Sequence, residues 1–179
     1  MKNPDDNDLV ERYLKGDAVA FEQLYQRYRQ PVFNYIHRQV VSSAVAEDIF
    51  QDVWLRVIRS IAQFEVGRSF RAWVFQIAHY RLIDYWRAHK HPADDSELEN
   101  LDSRVDVEHS TFIRDCIERF MTLLERLNPD QRDAFVMQQE TGFSLEQIAD
   151  VMGTGRETIK SRLRYAMQFL KKGLEGCND

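Results

Sequence analysis

The sequence predicts an all-α protein: two small helical domains joined by a flexible acidic linker. Three observations lead there. Apolar residues recur at three- and four-residue intervals along nearly the whole chain of 179 residues, and no stretch alternates as a strand would. Caps and stops bracket these periodic stretches at ordinary helix lengths. Between the halves, residues 92–111 ("PADDSELENLDSRVDVEHST") carry seven acids and one arginine, net −6, and have no apolar period. The domains expected are therefore 1–91 and 112–179.

The elements follow in order. Asp17 is positioned to cap a helix through "AVAFEQLYQRYRQ", with Phe21, Leu24, Tyr25 and Tyr28 on one face. Pro31 is expected to interrupt or kink it, with "VFNYIHRQVV" continuing. Ser43 is expected to cap the next helix, in which Val45, Ile49, Val53, Val57 and Ile61 form a buried stripe. A loop around "EVGRS" precedes an aromatic helix, "FRAWVFQIAHYRLIDYWRAHK", with Trp73, Val74 and Ile77 as core, and Pro92 stops it. After the linker a helix resumes near Thr111, with Ile113, Ile117, Phe120, Leu124 and Leu127 along one side. Asn128 is a cap, Pro129 suits the first helical position and Gln131 stands where a capping box needs it. Gly142 ends that helix, and Ser144 with Gln147 makes a box for "LEQIADVM".

Apolar content of 44% supports real cores. No apolar run approaches a membrane span, and the polar "MKNPDDNDLV" is not a signal peptide. Cys116 and Cys177 form no CxxC pair, so a reduced, cytoplasmic protein is expected, with Cys116 a small core residue. A disulfide between the two stays open, though nothing in the sequence argues for one.

The net charge is −5, yet two islands are basic: 67–91 at +4 and 154–172 at +5. Local islands in an acidic chain point to two defined contact sites for nucleic acid. The second island follows a short helix and a "GTG" turn, the order of a helix-turn-helix. Burying Ile159, Leu163, Ala166 and Leu170 turns Glu157, Lys160, Ser161 and Arg164 outward together, as a major groove would meet them. Arg156 and Arg162 flank that face and suit phosphates. Glu157 either accepts from a base or closes a capping box with Thr154. A solvated basic face is the plainer alternative. The first island interleaves Phe64, Phe70, Trp73, Phe75, Tyr80, Tyr85 and Trp86 with Arg68, Arg71, Arg81, Arg87 and Lys90. That mixture suits stacking of unpaired bases, or equally a core of aromatics edged by arginine stems.

No catalytic constellation, phosphate loop or metal-ligand spacing is present in the sequence, so no enzyme activity, cofactor, metal or small-molecule substrate is expected.

Taken together, "FEQLYQRYRQPVFNYI", "AEDIFQDVWLRV", "FRAWVFQIAHYRLIDYWR" and "LNPDQRDAFVMQQETGFSLEQIADVMGTGRETIKSRLRYAMQFLKK" resemble a sigma factor of the sigma-70 family, in its compact extracytoplasmic-function (ECF) group. The resemblance runs from about Asp8 to Lys172. It implies a subunit that joins core RNA polymerase at its clamp and flap and directs it to promoter DNA. Region 4 reads the −35 element as duplex, through Arg156, Glu157, Lys160, Ser161, Arg162, Arg164 and Tyr165. Region 2 takes the −10 element as single strand, through Phe64, Arg68, Ser69, Phe70, Arg71, Trp73, His79, Tyr80 and Arg87. The polymerase-binding set implied is Asp48, Gln51, Asp52 and Leu55, with Trp54 or Leu55 as apolar anchor. An anti-sigma factor is a further implied partner. Departures stand out: Tyr80 replaces a common Asn, His79 a usual basic residue, and Arg156 and Glu157 replace small or apolar ones, so the promoter sequence is not transferable. A duplex-binding repressor or a non-reading adaptor would leave the aromatic island or the basic helix without a purpose.

Overall fold

The computed structural model describes residues 4–40, 42–89 and 110–177. Among these it contains α1 (Asp6–Leu14), α2 (Ala18–His37), α3 (Ser43–Ser60), a 3-10 turn (Ile61–Gln63), α4 (Phe70–Ala88), α5 (Ser110–Arg126), α6 (Pro129–Thr141), α7 (Leu145–Met152) and α8 (Arg156–Gly173), and no strand. The expected linker falls outside the described residues, except for its last two positions, which open α5.

Helix α1 was not expected from periodicity. Asp5 caps it by accepting from the Asn7 N–H, and its buried Leu9 and Val10 rest on α2. Its Asp6 carboxylate accepts from Arg27 and from the Tyr28 hydroxyl. Burial, reinforced by that carboxylate, raises the Tyr28 phenol well above its ordinary range.

Helix α2 is capped by Asp17, which accepts from the Val19 N–H at 3.0 Å, and it runs unbroken through Pro31. The expected interruption does not occur, and the magnitudes say why. An interior proline costs about 3 kcal/mol or more. Leu24 and Tyr28 before it and Val32, Tyr35 and Ile36 after it are all buried, and full burial of such side chains stabilises by roughly 1.5–3 kcal/mol each. Continuing the helix keeps both groups on the core.

Ser42, not Ser43, is the N-cap of α3, and its side chain makes no capping bond. Ser43 lies inside the helix, with its hydroxyl 3.2 Å from His37 Nε2. Ile49, Val53, Val57 and Ile61 form the buried stripe, with Val45 half-buried at its start.

In the second half, Asn128 caps α6 through the Asp130 N–H at 3.0 Å, with Pro129 at the first position. The Asn128 side chain is served there alone, so Gln131 closes no box. Gly142 ends α6 in the left-handed region at φ 65°, and the Ser144–Gln147 box opens α7. Helix α5 departs from expectation. Leu124 and Leu127 are buried, but Ile113 and Ile117 are 60% and 58% exposed. Among the described residues its apolar stripe is buried at the C-terminal end, where α8 lies. Cys116 is not a core thiol: it is disulfide-bonded to Cys177, with a Cα–Cα distance of 5.8 Å.

The two halves pack on each other. Helices α2 and α4 meet α6 and α7, and the buried side chains form one continuous core. Phe75 meets Phe143 edge to face at 5.7 Å, and the Arg71 guanidinium lies 4.8 Å from the centre of the Phe143 ring.

Candidate nucleic-acid interface

The helix-turn-helix is built as the apolar spacing requires. Ile148, Ala149, Val151 and Met152 of α7 and Ile159, Leu163, Ala166 and Leu170 of α8 are buried, and α8 packs on α6 and α7. The turn is made by Gly153, left-handed at φ 60°, and by Gly155, the N-cap of α8. With that face fixed, Glu157, Lys160, Arg164 and Tyr165 are exposed and Ser161 is half-buried. Arg164 lies over the Tyr165 ring at 5.2 Å.

Glu157 does not cap α8, whose N-cap Gly155 supplies no side chain. It lies on the exposed face, 2.8 Å from Arg156 and 3.7 Å from Lys160. Arg156 also bonds Glu146 at 2.5 Å, and that carboxylate raises the Arg156 pKa. The Glu146 pKa is lowered, first by its own backbone N–H and then by Arg156. Arg162 is not a free cation: it bonds Asp130 at 2.6 Å and ties α8 to the start of α6. At either arginine a phosphate competes with an acid already in place.

The first island is arranged differently from the expectation. Ser69 caps α4 by accepting from the Ala72 N–H at 3.1 Å. Phe64 and Phe70, expected on the DNA surface, are buried, and they pack with Trp73 at ring distances of 5.2 to 5.7 Å. Their rings shape the loop instead of presenting a face. Asn7 of α1 accepts the Gly67 N–H at 2.9 Å and steadies that loop from 60 residues away, which no local signal announces. Trp73, Arg68 and Ser69 line a cavity of about 320 Å³, walled on the far side by Gln147, Asp150 and Val151 from α7. Arg68 is exposed beside Glu65, and Arg87 is exposed near the end of α4.

His79 is the largest departure. It is 3% exposed, and its Nδ1 lies 2.5 Å from Asp133 Oδ2. The fully buried Asp133 carboxylate also accepts from the Tyr35 hydroxyl and from Gln39 Nε2 at 3.2 Å. Burial, and then this carboxylate, raise the Tyr35 pKa well above its usual value. Arg71 donates to the Thr141 carbonyl. The Tyr80 hydroxyl stands at Gly153, 3.4 Å from where a Cβ would be. Three side chains expected at the −10 element are thus engaged with the second half.

On α3, Asp48, Gln51 and Leu55 are exposed together. Asp52 is bonded to Arg81 of α4. Trp54, expected as an alternative surface anchor, is buried against Phe21, Tyr25 and Phe50, which leaves Leu55 as the projecting apolar side chain. Among the described residues there is no group of three His, Cys, Asp or Glu able to hold a metal ion, and no helix long and apolar enough to cross a membrane.

Residues 24–91 match the family described as Sigma-70 region 2, and residues 123–172 match Sigma-70, region 4. The chain is 32% identical over 170 residues to the ECF RNA polymerase sigma factor BldN of Streptomyces coelicolor, covering 92% of this chain and 64% of that one. It is 28% identical over 163 residues to the RNA polymerase sigma factor CarQ of Myxococcus xanthus, covering 91% and 94%. Its fold is similar to the sigma factor RpoE from Bartonella quintana, solved in complex with the anti-sigma factor NepR: TM-score 0.68, 22% identity, 87% of this chain and 96% of that one. The two halves, matched in order over most of the chain, make it an ECF member of the sigma-70 family.

Proposed function

We propose that this chain is a non-enzymatic initiation subunit that joins core RNA polymerase and directs it to promoters. Residues 1–91 form the region 2 domain and 112–179 the region 4 domain, with 92–111 as the connection. The observation that carries the reading is α8: its buried Ile159, Leu163, Ala166 and Leu170 leave Lys160 and Arg164 outward beside the glycine turn. Those two cations suit guanine O6 and N7 in a major groove, with Ser161 beside them. Arg156 and Arg162 suit the backbone once they exchange Glu146 and Asp130 for phosphate. The −10 element is taken as single strand at the loop cavity, by Trp73, Arg68 and Ser69, with Arg71, His79, Tyr80 and Arg87 along α4. Phe64 and Phe70 support that loop from beneath.

Docking on polymerase uses Asp48, Gln51 and Leu55. Exposed acids pair with basic residues of the partner around one apolar anchor. An anti-sigma factor is a second proposed partner, supported by the family and by the fold shared with RpoE. With these partners, the proposed location is the cytoplasm.

The test is reconstitution. Purified chain and core polymerase are mixed with a genomic promoter library, and start sites are mapped. The expected result is initiation at sites that core alone ignores. An unchanged start-site map would sink the reading.

A further inference from the structure

We propose that Cys116–Cys177 is a reversible redox site, opened by a dithiol protein that docks on the exposed apolar face of α5. Only the cytoplasmic location carries over from the proposed function.

Disulfides in a reducing cytoplasm are mostly transient and redox-sensing, not permanent staples. Cys116 lies on α5 and Cys177 just beyond the end of α8, and both are half-buried. Neither belongs to the buried core. They are the two cysteines of the chain, so oxidation within one molecule has a single product.

The packing holds the pair ready to close. Gly173, the last residue of α8, lies so near α5 that a Cβ there would stand 2.5 Å from Leu123 Cδ2. This approach is made by a glycine and a buried leucine, so it does not need the sulfurs. It accompanies a Cα–Cα distance of 5.8 Å at the pair, near the middle of the span a disulfide bridges. Two thiols held that way react far faster than two in separate chains. Opening disturbs little. Leu123, Leu124 and Leu127 of α5 are buried, and α8 packs on α6 and α7. What is released is the chain end past Gly173, where the Cys177 N–H donates to the Leu174 carbonyl at 3.0 Å.

The surface beside the bond indicates what opens it. Phe112, Ile113, Ile117, Phe120 and Leu174 line a groove of about 310 Å³, and both cysteines are part of its wall. Phe112, Ile113 and Ile117 are exposed. Contiguous exposed apolar side chains mark a contact surface, and the one reactive group in this groove is the disulfide. On the same helix Arg114 and Glu118 pair with each other at 3.2 Å, so together they offer no net charge to an ionic partner. The occupant that fits is a protein carrying a thiolate on an apolar face.

The chemistry balances in both directions. A thiolate of the reductant attacks one sulfur of the pair; the S–S bond breaks, and the other sulfur leaves and takes a proton from water. The second thiol of the reductant then attacks the mixed disulfide and frees the first cysteine. The reductant becomes a disulfide, and the chain gains two electrons and two protons. Hydrogen peroxide reverses this. One cysteine thiolate attacks a peroxide oxygen and becomes a sulfenic acid with loss of hydroxide, and the other displaces the second hydroxide to form the disulfide and, with the protons, two waters.

The experiment uses the full oxidised chain without polymerase. Free thiols are counted by alkylation and mass shift during exposure to thioredoxin, kept reduced by its reductase and NADPH, or to dithiothreitol. Thioredoxin should open the bond in the folded chain, with the helical circular dichroism retained. Ile113→Glu and Ile117→Glu should slow thioredoxin by at least about fivefold and leave the dithiothreitol rate within about twofold. That split separates a lost docking face from a damaged fold. Equimolar peroxide should restore the bond, and Gly173→Val should slow this closure by forcing the end of α8 off Leu123. A bond that opens only in denaturant overturns the redox site, as does a reduced chain that peroxide fails to close. Equal thioredoxin rates in the wild type and both glutamate variants overturn the docking face. Redox cycling is read without DNA, so a failed promoter reconstitution beside a working pair removes the transcription reading and leaves the redox site standing.

Discussion

Lys160 and Arg164 stand one turn apart on α8, both exposed, and their direction was legible because the opposite face of the same helix is apolar. Lys160→Ala or Arg164→Ala should each cost about 1–3 kcal/mol per lost base contact and relax selectivity at one −35 position. Anisotropy on a selected duplex and its single-base variants checks this, and unchanged selectivity in Lys160→Ala would remove its base-reading role. Asp48 and Asp52 looked equivalent in the sequence and are not. Asp48 faces solvent, while Asp52 holds Arg81. Asp48→Arg should weaken polymerase binding at an unchanged melting temperature. Asp52→Arg should also destabilise the fold by about 1–2 kcal/mol, since two cations then meet between α3 and α4. Thermal unfolding beside polymerase pull-down distinguishes the two. His79 was illegible for a different reason. Its partner lies 54 residues along the chain, and spacing carries nothing about a contact made between domains.

At the scale of elements, the caps were the most legible features. Asp17, Asn128 and the Ser144–Gln147 box act through bonds within three residues, so sequence contains the whole interaction. Ser144→Ala should destabilise the second half by about 1 kcal/mol, read by denaturant unfolding. Helix α1 went unseen because only Leu9 and Val10 are fully buried along its length, too little to set a period. Helix α5 shows the reverse failure. Its stripe was plain, but amphipathicity says nothing about which end is buried, and Ile113 and Ile117 stay largely exposed. The crosslink from α5 to the chain beyond α8 gives a further prediction. Reduction of Cys116–Cys177 should lower the stability of the second half by about 2–4 kcal/mol. Calorimetry with and without dithiothreitol checks this, and Cys116→Ser should abolish the difference.

At the scale of the molecule, the class and order of helices α2 to α8 were readable, but their packing into one body was not. Periodicity shows that a face is buried, not what buries it. The faces of α2 and α4 that suit a two-domain chain also suit the seam with α6 and α7. A single core predicts one cooperative thermal transition for the oxidised chain. Asp133→Ala should split that transition in two, because each half then unfolds alone. Calorimetric and van't Hoff enthalpies that agree in the wild type and disagree in the variant would bear this out. The disulfide has a separate consequence if it is considered as a length. It joins positions 61 residues apart, and at about 3.3–3.6 Å per extended residue it withholds roughly 200 Å of contour. A machine that draws the oxidised chain through a narrow pore from its carboxyl end meets a closed loop at Cys177, and must pass three strands at once or stop. Reduction turns the loop back into a thread, so the thiol state of this pair sets how the chain can be dismantled as well as how firmly it is folded.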